Sequence, residues 1–130
     1  MPDLDALPIA VASVLAFVLS STYYTLTARQ LAAARGAAAV DERTPPGKIA
    51  LELLRCAVLV TVVAGLPAAA DLRTWPAGLA LGAALWVGFP LVLWSGAVLW
   101  EGTSPRLAVL HGLDWLAKLL LVAAVVSAWR

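Results

Sequence analysis

Four long apolar runs, at about 7–28, 49–70, 77–100 and 107–129, leave this chain little choice of solvent. Each is close to the ~20 residues that an α-helix needs to cross the hydrocarbon of a bilayer. A 130-residue chain that is 62% hydrophobic and 13% charged cannot hide so much apolar surface in one water-soluble core. Small folds leave too much of their area exposed, and soluble domains carry about 25% charged residues. The runs are unalternating Ala/Leu/Val, without the two-residue period of a barrel strand. The expectation is an all-α integral membrane protein, a four-helix transmembrane bundle. It forms one membrane domain over 1–130 with a cytoplasmic linker at about 29–48.

The breaks between runs carry helix-start signals. Thr44-Pro45-Pro46-Gly47, Thr74-Trp75-Pro76 and Thr103-Ser104-Pro105 each place a hydroxyl one or two positions before a proline. The hydroxyl caps free N–H groups, and proline has none to lose in the first turn. The alanine-rich stretch 29–39 is expected to extend the first helix, with Gly36 fraying it, and VDERTPPGK at 40–48 reads as a turn or linker. Arg29, Arg35, Arg43, Lys48 and Arg106 fall in the first and third loops, whereas the opposite side has only Arg73 and Arg130. That asymmetry places both loops in the cytoplasm and both termini outside, in a cell (inner or plasma) membrane crossed four times. The acidic flank MPDLDALP lacks the basic start of a cleaved signal, so the first run reads as a retained helix. Trp75 and Trp129 then sit at the outer interface and Trp100 at the inner one. The absence of Asn and the scarcity of Lys and Ile, two of each, suggest a GC-rich bacterial genome.

The most informative stretch is HGLDWLAKLLLVAAVVSAW, which carries His111, Asp114 and Lys118 into an otherwise apolar span. On a helix these three fall within about a 60° arc, because each residue advances about 100°. Glu52 and Arg55 form a second pair at i,i+3 on the second span. Counting about 1.5 Å per residue from the cytoplasmic end and letting the long cations lean back, all the charged heads reach similar depths. A lone ionised side chain at mid-bilayer costs about 2.5–3.5 kcal/mol on insertion scales, so four must pair. Asp114 and Lys118 at i,i+4 are in the favourable order. The expectation is that spans two and four face each other through this cluster, with Arg29, Tyr23, Tyr24 and Glu101 at its rim. Two readings stand: a structural charge-paired lock, or the lining of a proton or solute path.

Other features are lesser. Gly78-x-x-x-Gly82 offers a small-residue face for close helix packing, within the bundle or in a dimer. Pro90 should bend the third span. Ser13, Ser20, Tyr24 and Thr27 recur at near-heptad spacing as a polar seam along the first helix. His111 alone reads as a hydrogen-bonded packing residue. Cys56, the one cysteine, forms no intrachain disulfide. A single histidine and the lack of catalytic or phosphate-loop motifs give no metal, no cofactor and no catalytic residue to name. The net charge of +1, without a basic patch, argues against nucleic acid.

In the last two spans, Gly88-Phe89, Pro90, Glu101-Gly102, Ser104, Arg106, Leu107, Leu116 and Ala128-Trp129 follow a spacing that resembles a known pattern. It is that of the small four-span membrane proteins catalogued as domain of unknown function 1761. The resemblance covers roughly 78–129 and is fainter at Tyr23-Tyr24. It implies an integral membrane bundle and no assigned activity. This chain departs from the family pattern at Asp114, where an aromatic is usual, at Lys118, usually apolar, and at His111, often Asn or Asp. No family-wide role therefore passes to Asp114 or Lys118, and Glu101-Gly102 is the candidate for a shared helix end. The resulting expectation is a structural or interaction protein whose partners are the lipid bilayer, a second copy or another membrane protein. The alternative is a small transporter or channel component.

Overall fold

Prolines set where most of these helices begin. The computed structural model describes residues 4–35 and 46–130. Within them run α1 (Ala6–Leu26), α2 (Ala28–Arg35), α3 (Pro46–Ala70), α4 (Trp75–Gly88), α5 (Pro90–Glu101) and α6 (Pro105–Ala128), and no strand is found among the described residues. α3, α5 and α6 open on a proline and α4 has one in its first turn, where its missing N–H is harmless. Thr74 caps α4 by accepting from the Ala77 N–H at 3.4 Å. Ser104 holds the same position before α6 without a side-chain cap bond. Thr44, Pro45, Gly36, Arg43 and most of the expected 40–48 turn lie outside the described residues.

Two helix breaks are bends, not stops. Between α1 and α2, the Thr27 N–H donates to Tyr23 O and the Leu31 N–H to Thr27 O, both at 2.9 Å, so the ladder runs through. Between α4 and α5, Phe89 takes φ −121°, ψ −74°. Pro90 has no N–H to give Trp86 O, but Phe89 N–H to Leu85 O (3.0 Å) and Leu93 N–H to Phe89 O (2.8 Å) flank the gap. Counting α4 and α5 as one span, four helices are long and apolar enough to cross a membrane. The protein is an all-α, multi-pass membrane protein.

α6 is the hub, packing against each of the other five helices. The core joins Ala12 and Ala16 of α1, Cys56, Val60, Val63 and Ala64 of α3, and Leu119, Val122, Ala123 and Val126 of α6. Alanines recur because, between helices in lipid, close backbone approach takes over from the hydrophobic effect. α4 comes closest through its small-residue face. A Cβ built on Gly78 would fall on the Ala123 carbonyl and 2.8 Å from Ala124 Cα, and one on Gly82 would lie 2.7 Å from Leu119 O. Trp86 Nε1 then donates to Gly112 O at 2.8 Å, pinning the same pair of helices. Large apolar side chains such as Leu93, Leu99 and Trp100 point outward, suited to acyl chains.

Candidate functional site

The polar face of α6 is held mainly by α1. Asp114 and Lys118 are 2% and 5% exposed, with Asp114 Oδ2 3.3 Å from Lys118 Nζ. One turn of helix separates them, the spacing at which an acid followed by a base pairs well. The other carboxylate oxygen accepts from the Ser20 hydroxyl of α1 at 2.8 Å. The Lys118 ammonium lies 4.9 Å from the centre of the Trp115 ring, within cation–π range. Further along the seam, Tyr24 Oη lies 2.6 Å from His111 Nδ1, the tautomer deciding which donates. Tyr23 donates to Leu110 O at 2.6 Å, and Trp94 of α5 stacks on His111 at 4.9 Å between ring centres. Low dielectric makes each of these bonds worth more when satisfied and costlier when broken.

α3 contributes from across a gap. Arg55 Nη1 bonds Glu52 Oε2 at 2.7 Å within the helix, with both side chains partly accessible. The space between this pair and α6 is an open cavity of about 930 Å³. Among the described residues, Arg35, Lys48 and Arg55 line it with Lys118 as cations, against Glu52 and Asp114 as acids, an excess of two positive charges. Phe17, Leu31, Ile49, Trp94 and Trp115 supply apolar wall, and His111 and Tyr24 also border it.

Glu52, Arg55, His111, Asp114, Lys118 and Tyr24 therefore share one cavity. Tyr23 does not line it and is spent on Leu110. Arg29 borders a different groove, beside Arg106. Glu101 ends α5 next to Gly102, whose φ of 71° is left-handed, and borders neither. Among the described residues each ion pair on these spans stays within its own helix, and none joins α3 to α6. The cross-helix bond to Asp114 comes from Ser20, which sequence reading placed in a seam without identifying its acceptor. Arg35 and Lys48 entered the sequence reading only through topology, and nothing in the pattern marked Trp94. Among the described residues no group of three or more His, Cys, Asp or Glu side chains gathers for a metal.

Cys56 is 2% exposed and does not line the cavity. A membrane-impermeant maleimide should leave it unmodified in folded protein and label it once SDS unfolds the chain. Equal labelling rates in the two states would contradict this packing.

The sequence model of a family described as "Protein of unknown function (DUF1761)" matches residues 7–127. No curated protein and no solved structure matches the chain.

Proposed function

The chain belongs to the domain of unknown function 1761 family, which assigns no activity, and from the site geometry we propose that it is a membrane-embedded binding protein. Its cavity receives a small amphipathic solute bearing an anionic group. One observation carries this reading: a buried ion pair, Asp114–Lys118, forms part of the wall of an open cavity, together with Glu52–Arg55. Ionisable groups inside a membrane that border a cavity are where ligands and ions are handled. The volume lies within the ~300–1,000 Å³ typical of small-molecule pockets.

The excess of cations among the described lining residues favours an anion. Both carboxylates already hold a cation, and Trp94, on the cavity wall, has a buried indole N–H with no acceptor among the described residues. The aromatic and aliphatic wall favours a ligand with an apolar body. A second reading, a purely structural lock, draws support from Ser20–Asp114 and Tyr24–His111, which tie α1 to α6. The two are compatible, since a rigid seam also holds a site in shape. Transport is the natural extension of binding, and it would call for a second copy or another membrane protein, because four helices enclose little pore. Arg29 and Arg35 lie on α2 between the first two spans, Lys48 in the first turn of α3 and Arg106 in the first turn of α6. By charge bias the cavity mouth faces the cytoplasm and both termini lie outside.

The test is thermal melting of protein in phosphatidylcholine nanodiscs with benzoate or hexanoate, against benzyl alcohol and hexylamine. The acids should stabilise saturably and the controls should not. Arg35→Gln, which leaves both ion pairs intact, should weaken the acids' apparent affinity about tenfold, the effect of one lost charge-assisted hydrogen bond. Equal shifts with acids and controls, or an unchanged affinity in the variant, would sink the proposal.

A further inference from the structure

A second basic site lies outside the cavity and does not depend on it. α2 packs beside the beginning of α6, and the groove between them measures about 670 Å³. Its polar lining is Arg29, Gln30 and Arg106, with no carboxylate among the described residues; Ala33, Val109 and Leu110 supply apolar floor. We propose that this groove holds the phosphate headgroup of an anionic phospholipid between Arg29 and Arg106.

Arg29 lies three residues beyond the end of α1 at Leu26, and Arg106 is the second residue of α6. Both therefore stand at the end of a span, the level of lipid headgroups. The Tyr23–Leu110 bond fastens α1 to α6 near the groove and so sets the spacing of the two arginines.

Guanidinium groups match phosphate oxygens in forked geometry, and two from different helices make a clamp. The first turn of α6 adds to it, because Ser104 gives no side-chain cap and the early N–H groups of a helix favour an anion. The apolar surface decides for lipid over free phosphate. Val109 and Leu113, one turn apart on α6, are 58% and 48% exposed and continue from the groove along the helix. An acyl chain attached to the bound headgroup has a strip to lie on.

Native mass spectrometry of the protein released from nanodiscs of mixed phosphatidylglycerol and phosphatidylcholine tests this. Wild type should retain one phosphatidylglycerol in preference to phosphatidylcholine. Arg29→Gln with Arg106→Gln should reduce that preference about thirtyfold, from two interfacial cations. Arg29→Lys with Arg106→Lys should restore a good part of it. Arg73→Gln, at the other end of the bundle, should leave it intact. A double glutamine variant that retains the lipid as wild type does, or an Arg73 variant that loses it equally, overturns the site. Soluble glycerol phosphate displacing the lipid at equal concentration overturns the lipid assignment.

Discussion

Gly78→Val is expected to abolish the folded monomer in mild detergent, or to lower its melting temperature more than any other single change on α4. The reason is geometric. The first added carbon would land on the Ala123 carbonyl and 2.8 Å from Ala124 Cα, and both are backbone of α6. A side chain can rotate away from a clash, but a helix backbone cannot. Overpacking typically costs 1–3 kcal/mol and occasionally more. With two backbones in opposition, about 3 kcal/mol or above is the expectation. Gly82→Val meets Leu119 O at 2.7 Å and should be nearly as severe. Gly96 on α5 serves as the control, since a Cβ there meets nothing within 4 Å. Gly96→Ala should be neutral or slightly stabilising, as alanine is the better helix former. Thermal melting with size-exclusion profiles decides the matter. A Gly78→Val protein that melts like wild type would mean that α4 and α6 are not in backbone contact.

The same glycines illustrate what the sequence makes legible. Gly78-x-x-x-Gly82 announces a close approach, because small residues at that spacing have few other uses in a membrane helix. It does not name the neighbour, and nothing in the pattern singles out Ala123 or Leu119. The long spans are legible for a similar reason: twenty apolar residues in a row have one stable environment. Helix starts marked by Pro76 in the first turn of α4 and by Pro105 follow from a missing N–H, while the silent Ser104 hydroxyl shows that residue type alone does not guarantee a cap bond.

The polar cluster divides in the same way. The i,i+4 spacing of Asp114 and Lys118 and the i,i+3 spacing of Glu52 and Arg55 foretell bonds within each helix, where geometry is local. The partner across helices is a long-range fact. Ser20 is one hydroxyl among several on α1; Ser13 and Thr27 instead bond carbonyls of their own helix, Ile9 O and Tyr23 O. Only the packing of α1 on α6 distinguishes them. The cavity is less legible still, since it depends on how far α3 stands from α6 and on where the bend at Phe89 carries Trp94.

That division yields the second large effect. Asp114→Leu should destabilise the protein by about 3–5 kcal/mol, the usual penalty for removing one partner of a buried ion pair. Lys118, 5% exposed, would keep only the Trp115 face at 4.9 Å. Ser20 would lose its acceptor as well. Replacing both charges, Asp114→Leu with Lys118→Leu, should recover most of the loss, because no orphan charge remains and a buried pair is seldom better than apolar packing. Glu52→Gln, in the accessible pair, should shift stability by no more than about 1 kcal/mol. Urea or thermal unfolding in one detergent measures all three. If the single Asp114 variant is as stable as wild type, the pair does not matter to the fold. If the double variant is as crippled as the single, the damage lies in lost hydrogen bonds to α1 and not in the stranded ammonium. A double variant that folds also separates the roles of the site. It should keep the α1–α6 seam through Tyr24 and Tyr23 yet lose Lys118 from the cavity wall, so that weakened benzoate binding at near-native stability would point to a charge retained for its ligand.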